Sequence, residues 1–216
     1  TLGIVDGDIV EETNLHRQLL YSIDDCGKNK VDAAANAISK INSDVKTTIY
    51  PEFISTKNVF SITKKYDILV DCTDTIATRY LINDTAVYLN KPMIYASIHK
   101  FEGQISVFNY QNGPTYRCLY PDENSNALNC EDAGVIGVSV GIIGMFQANE
   151  VLKMILGIGE VLSGKVLVYN VLNNEQQKYD FDKSDVQSIS RETFEEKYNK
   201  SEVKEISFES ILDEIN

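Results

Sequence analysis

Two apolar runs that each stop on an aspartate, Ile4-Val5-Asp6 and Ile68-Leu69-Val70-Asp71, constrain this chain more than any other feature. A short unbroken apolar run suits a strand buried on both faces, as in a parallel sheet covered by helices. In such folds ligands bind beyond the carboxyl ends of the strands, where a carboxylate can grip ribose hydroxyls. Asp6 is therefore a candidate ribose ligand. The second run leads through Cys72-Thr73-Asp74-Thr75 into a predicted helix from about Ile76 to Leu89, so Asp71 and Asp74 flank a strand-to-helix junction. Mg²⁺ takes one or two carboxylates plus substrate phosphates and water, and Asp74 suits it. A helix N-cap is the alternative for Asp74, while Asp71 reads as structural, bonded to turn amides.

Between Asp6 and the first long helix lie the acidic pair Glu11-Glu12, a Thr13 that can cap a helix, and Asn14-Leu15-His16-Arg17-Gln18. The Arg17 guanidinium could fork onto phosphate oxygens, which a lysine meets only as a point charge. A solvated helix-face arginine is the plainer reading. Val31, Ala34, Ala35, Ile38 and Ile41 follow helical spacing, which predicts a helix packed on a sheet. Lys30 stands at its first turn, where the macrodipole favours anions; a nearby phosphate would relieve that mismatch, and a solvated lysine is the alternative.

Further along, strands are predicted at Val45–Tyr50, Met93–Ala96 and Glu102–Tyr110, and a short helix at Asn58–Lys65. Gln111-Asn112-Gly113-Pro114 is a hairpin signal, and Thr115–Asp132 reads as a long loop. Gly134, Gly137, Gly141 and Gly144 run into a helix ending near Ile155; their spacing is not a dinucleotide fingerprint and suggests close helix packing. Lys165–Val171 and Gln176–Phe181 form a predicted hairpin about Asn173-Asn174. The fold class is α/β: a Rossmann-like mixed sheet flanked by helices. Because the chain opens on the ribose strand, the strand, glycine turn and helix that cradle phosphates in such domains are expected to be missing from its amino end.

Composition narrows the function. At 216 residues, 43% hydrophobic and 24% charged, the chain can bury a core as one domain with an appendage. Its formal charge of -12 leaves nothing to neutralise a run of phosphates, so no nucleic-acid partner is expected. Half of that charge lies from Asp180 onward, where eleven acidic residues face five basic ones, and a boundary is expected near Asp182. Four scattered cysteines with no signal peptide before them point to a reducing cytoplasm. The apolar segment Ala133–Met145 is too short and interrupted for a bilayer, so no membrane is expected. His16 and His99 are isolated and read as solvated or core residues.

Taken together and in order, Asp6, Asn14-Leu15-His16-Arg17-Gln18, Lys30 and Asp71-Cys72-Thr73-Asp74 resemble the MoeB/ThiF family, the bacterial relatives of ubiquitin-activating enzymes. Glu102-Gly103-Gln104-Ile105, Tyr116-Arg117-Cys118-Leu119, the stretch from Ala127 to Val135 and Ser163-Gly164-Lys165 extend the likeness over residues 3–181. The resemblance implies a 1–182 adenylating domain that uses ATP and Mg²⁺ to activate the terminal glycine of a Gly-Gly-ended, ubiquitin-like sulfur carrier of molybdopterin or thiamine biosynthesis. It implies that Asp6 binds ribose, that Thr13, Asn14, Leu15, His16, Arg17, Lys30 and Thr75 contact ATP, that Asp74 holds magnesium, and that the protein is a homodimer. Arg17, Lys30 and Asp74 would carry the catalysis. Cys130 occupies the place of a cysteine that forms thioester, persulfide or acyl-disulfide links in some members; Glu131 and Asp132 beside it oppose the lowered pKa that such chemistry needs. Cys26 and Cys72 read as small apolar fillers.

The sequence departs from that family in four places. Three of four ligands of a structural zinc are missing, so no zinc site is expected. Thr75 replaces a usual Asn. The glycine-rich phosphate loop is absent, as is an arginine lent across the dimer, so the chain as it stands is expected to bind ATP poorly. Residues 183–216 form an acidic linker or tail; Val203–Ile215 resembles the entry to a rhodanese-type domain, with a terminal amphipathic helix as the alternative. An NAD-dependent oxidoreductase and an inactive scaffold binding a ubiquitin-like partner are the rival functions.

Overall fold

The computed structural model describes residues 1–123, 134–184 and 191–202. The elements are β1 (Leu2–Val5), α1 (Lys30–Ile41), β2 (Thr47–Tyr50), α2 (Val59–Thr63), β3 (Leu69–Asp71), α3 (Ile76–Tyr88), β4 (Met93–His99), β5 (Glu102–Phe108), α4 (Tyr116–Leu119), α5 (Gly137–Leu156), β6 (Lys165–Asn170), β7 (Glu175–Asp180) and α6 (Arg191–Glu202). The mixed α/β architecture follows the predicted order. Its strands, however, fall into two sheets: β1 pairs in parallel with β2, while β3-β4-β5-β6-β7 form a five-stranded sheet, parallel at β3-β4 and antiparallel elsewhere. A side chain rather than a ladder joins β1 to the start of β3. The Tyr66 ring lies so close to Gly3 that an added Cβ would come within 2.2 Å of its Cζ.

Alternation along β4 and β5 sorts the core into two layers. Met93, Tyr95 and Phe108 face Tyr80 of α3 and Tyr116 of α4. Ile94, Ile105 and Val107 face Ile143 of α5. Each such buried side chain contributes about 1.5–3 kcal/mol relative to exposure, so both faces of the sheet are firmly covered. The expected hairpin at 111–114 is instead a closed turn leading from β5 to α4, with Asn109 N donating to Pro114 O at 2.8 Å. The hairpin partner of β5 is β4, reached through Lys100 and Phe101.

α5 buries Ser139, Ile143, Gln147 and Glu150 on one face and exposes Val138, Met145, Leu152, Ile155 and Leu156 on another. By length and composition alone it is long and apolar enough to cross a membrane, and it ends near Ile155 as expected, with Gln147, Asn149, Glu150 and Lys153 along it. Its buried polar groups tie it to the sheet: Gln147 Nε2 donates to Asp71 O at 2.8 Å, and Glu150 Oε2 accepts from Leu162 N at 3.0 Å. The glycine run only partly serves packing. An added Cβ at Gly137 would lie 2.0 Å from His16 O, but at Gly134, Gly141 and Gly144 it would meet nothing.

Packing crosses the expected boundary near Asp182. α6 seats Phe194, 2% exposed, against Val59 of α2 and Leu81 of α3. Tyr198 Oη donates to Asp84 Oδ2 at 2.7 Å. The stretch from Val203 onward lies outside the described residues.

Candidate active site

After β1 the chain doubles back on the entry to α1. Val10 N donates to Lys28 O at 2.8 Å, Gly27 N to Val10 O at 2.9 Å and Lys30 N to Asp8 O at 2.9 Å. This short antiparallel ladder delivers Lys30 to two carboxylates: its Nζ lies 2.8 Å from Asp8 Oδ2 and 4.0 Å from Asp6 Oδ2. Asp6 Oδ1 in turn accepts from Asp8 N at 2.9 Å. Lys30 is 8% exposed, so it is not a solvated lysine. Its mismatch with the helix dipole is answered by Asp8, a residue the sequence reading passed over although it stands two places after Asp6 and at the bend of the loop.

The segment 13–18 does not start a helix. It makes a 3-10 turn over Glu12–Asn14 with Glu11 at the N-cap, so Thr13 is not a cap. Thr13 Oγ1 donates to Glu11 Oε2 at 3.2 Å, and Thr13 O accepts from Arg17 Nη1 at 3.2 Å and lies 2.9 Å from His16 Nδ1. Asn14 is buried and its carbonyl accepts from Arg17 N and Gln18 N. Leu15 is half-buried and His16 exposed. Gly137 at the start of α5 packs closely on the turn at His16 and Arg17. The phenol of Tyr21, a few residues on, is pushed up by burial and by the nearby charge of Asp6. Arg17 is half-buried, and among the described residues no carboxylate pairs with it. Gln18 Oε1 is buried with no hydrogen-bond partner among the described residues.

At the end of β3, Asp71 is fully buried and its Oδ1 accepts from Thr73 N at 3.0 Å and Thr73 Oγ1 at 2.7 Å, as the structural reading expected. Burial pushes this carboxyl up, against the opposing pull of Arg79 and Thr73. Asp74 is exposed, and Thr75 Oγ1 reaches its Oδ1 at a long 3.4 Å. The N-cap of α3 is Thr75, not Asp74. Arg79, 6% exposed, sends Nε and Nη2 to Thr73 O at 3.2 and 2.8 Å. Sequence reasoning missed it; the available signal was a cation one turn into a helix whose neighbours Tyr80 and Leu81 are core residues.

The structure thus joins Asp6 to Lys30 directly and gathers residues 13–17 into one turn. α5 links that turn, through Gly137, to the end of β3, through Gln147. No hydrogen bond or ion pair among the described residues joins Arg17 or Asp74 to Lys30. Cys130 lies outside the described residues. Cys26 is exposed. Cys72 is exposed as a residue, yet burial of its thiol, 3.9 Å from Gln147 Oε1, pushes it up to about 11. Among the described residues no three His, Cys, Asp or Glu side chains gather as metal ligands. A Mg²⁺ ion would rest on Asp74 alone, and that carboxylate is exposed, with lone pairs to spare; one protein carboxylate fits an ion otherwise held by phosphates and water.

The ThiF family profile matches residues 1–192. The chain belongs to the ThiF family. It is 43% identical over 171 residues to the adenylyltransferase and sulfurtransferase MOCS3-1 of Drosophila pseudoobscura pseudoobscura, a match covering 78% of this chain and 38% of that protein. It is 46% identical over 159 residues to the adenylyltransferase and sulfurtransferase UBA4 of Meyerozyma guilliermondii, covering 73% and 38%. To a probable molybdopterin-synthase adenylyltransferase of Gracilaria tenuistipitata var. liui it is 45% identical over 179 residues, covering 82% and 50%. The chain therefore spans from about two-fifths to half of these relatives. Among solved structures, E. coli MccB with ATP matches with a TM-score of 0.72 at 23% identity, over 86% of this chain and 57% of that one, a likeness of fold alone.

Proposed function

We propose that the whole protein is an ATP-dependent adenylyltransferase that activates the C-terminal glycine of a ubiquitin-like sulfur carrier. The observation that carries this reading is a nearly buried Lys30 held 2.8 Å from Asp8 and 4.0 Å from Asp6, together with a nearby-in-sequence turn whose Arg17 guanidinium has no acidic partner among the described residues. Cations placed this way, on a ThiF-family chain, suit a polyanionic ligand. The three relatives named above are adenylyltransferases, one of molybdopterin synthase, which favours a molybdopterin-type carrier over a thiamine-type one.

In the proposed reaction a carboxylate oxygen of the carrier bonds to the α-phosphorus of ATP. The bond from that phosphorus to the bridging oxygen breaks, and pyrophosphate leaves with the electron pair. The attacking carboxylate is already ionised at neutral pH, so no general base is needed. What the protein supplies is alignment and compensation of charge between two anions. Asp6 would hold the ribose, Arg17 and Lys30 the phosphates. Asp74 would hold Mg²⁺, which supplies further positive charge at the phosphates when bound. The ThiF-family likeness also implies a homodimer.

Full-length protein given ATP, Mg²⁺ and a folded Gly-Gly-ended carrier is expected to exchange labelled pyrophosphate into ATP. Carrier binding without exchange would instead indicate a scaffold, and tight NAD(H) binding an oxidoreductase.

A further inference from the structure

We propose that Arg79 and Asp71 form a buried clamp on Thr73 that fixes where the Asp74 carboxylate stands, making Arg79 a positioning residue for the ion-binding acid. The inference rests on the adenylyltransferase reading, since it assigns Asp74 to Mg²⁺.

Three atoms of Thr73 are held. Its backbone N and its Oγ1 both donate to Asp71 Oδ1, at 3.0 and 2.7 Å, and its carbonyl accepts from Arg79 Nε and Nη2 at 3.2 and 2.8 Å. Both anchors are themselves fixed. Asp71 ends β3 opposite Tyr95 of β4, and its carbonyl accepts from Gln147 of α5. Arg79 lies in the first turn of α3, with its N donating to Thr75 O at 3.2 Å, its Nη1 reaching Ser97 Oγ at 3.3 Å and its guanidinium 5.4 Å from the centre of the Tyr95 ring. The backbone atom after the clamped carbonyl is the amide of Asp74.

The geometry argues against a pair kept for stability. An arginine and a carboxylate that serve each other meet as a fork, with two parallel hydrogen bonds. Here Nε stands 3.8 Å from Asp71 Oδ2, and that oxygen is buried without a hydrogen bond among the described residues. The two donors of the fork go to the carbonyl that precedes Asp74. Buried ion pairs are in any case often replaceable by apolar residues without loss of stability. A cation spent on a loop carbonyl beside an exposed carboxylate is arranged as an outer-shell support, which orients a metal-binding group without touching the metal.

Arg79→Lys keeps a positive charge near Asp71 but cannot fork onto Thr73 O. In full-length protein this change is expected to raise the Mg²⁺ concentration for half-maximal pyrophosphate exchange by about tenfold, the usual effect of losing an outer-shell partner. Mn²⁺ binding followed by electron paramagnetic resonance, in the presence of a non-hydrolysable ATP analogue, is expected to weaken by a similar factor. Nucleotide affinity at saturating metal should change little. Thr73→Val, which deletes the bond from Oγ1 to Asp71 Oδ1 at nearly constant volume, is expected to move both readouts in the same direction and decides the matter if Arg79→Lys does not fold. Unchanged Mn²⁺ affinity and Mg²⁺ requirement in a folded variant, with wild-type exchange intact, would overturn the clamp. Absence of exchange in the wild type would instead count against the adenylyltransferase reading, while the Mn²⁺ titration would still report on Arg79.

Discussion

Lys30 Nζ sits 2.8 Å from Asp8 Oδ2, with the lysine side chain 10% exposed and the aspartate 53% exposed. The pair is thus wet on the acidic side and dry on the basic side. Asp8 can leave for water at little cost, whereas the ammonium depends on an anion being near. Asp6, at 4.0 Å, is the reserve partner.

From this asymmetry, Asp8→Asn alone is expected to lower stability by less than about 1 kcal/mol, as for a half-exposed ion pair. Removing both acids strips a buried ammonium of every carboxylate the structure gives it. The double change Asp6→Asn with Asp8→Asn should therefore cost more than the two single changes together, on the order of 2 kcal/mol. Urea denaturation of the three variants at one pH measures this directly; strict additivity would show that Lys30 has other support.

A second expectation concerns the docked helix α6. Asp84, fully buried on α3, accepts from Arg117 Nε and Nη2 at 2.7 Å each, from Tyr198 Oη at 2.7 Å and from Lys197 Nζ at 3.4 Å. These partners come from two elements, so one carboxylate on α3 ties α4 and α6 to it. Asp84→Asn takes its fork from half-buried Arg117, which keeps its ion pair with Glu123, and is expected to cost about 1.5–3 kcal/mol. Because Asp84 accepts from both Lys197 and Tyr198 of α6, limited proteolysis should cut within 191–202 faster in the variant than in the wild type. An unchanged digestion pattern would mean that the other contacts of α6, the Phe194 packing and the Lys197–Glu123 pair among them, hold the helix without Asp84.

These contacts show where the sequence was legible. The runs ending on Asp6 and Asp71 announce themselves by composition, and the helix periodicity of α1 is local, so the α/β class and the two acids could be read directly. Asp8 and Arg79 could not, because their roles depend on chain reversal and on a buried carbonyl, neither of which has a periodic signature. The docking of α6 was hidden for a related reason. Its sequence is mostly charged, and the contacts that dock it, the buried ring of Phe194 and the bond from Tyr198 to Asp84 among them, lie far apart along the chain from their partners. Family likeness, rather than periodicity, pointed to Thr13–Arg17, since a 3-10 turn wedged beside Gly137 leaves no repeat to detect.

Cys118 offers a pH test outside the proposed nucleotide site. Partial burial pushes its thiol up, but hydrogen bonds from Ser184 and Thr115 outweigh this and leave it below the ordinary cysteine range. Thiolate is the reactive form, so alkylation of Cys118 should begin at lower pH than that of an unperturbed cysteine. Thr115→Val removes one of the lowering bonds and should shift the profile to higher pH. Mass spectrometry of iodoacetamide-treated protein across a pH series follows both; coincident profiles for wild type and variant would show that Thr115 does not act on the thiol.

The central claim is that Arg17 and Lys30 serve one triphosphate whose metal is borne by Asp74. Its most direct test is calorimetric titration of full-length protein with a non-hydrolysable ATP analogue and Mg²⁺, repeated for Arg17→Ala, Lys30→Ala and Asp74→Asn. Hydrogen bonds to charged groups are each worth about 1.5–3 kcal/mol, so Arg17→Ala and Lys30→Ala are each expected to weaken binding by roughly ten- to hundredfold. Asp74→Asn should remove the dependence of binding on Mg²⁺. Wild-type affinity in both Arg17→Ala and Lys30→Ala, with the fold intact, would contradict the account.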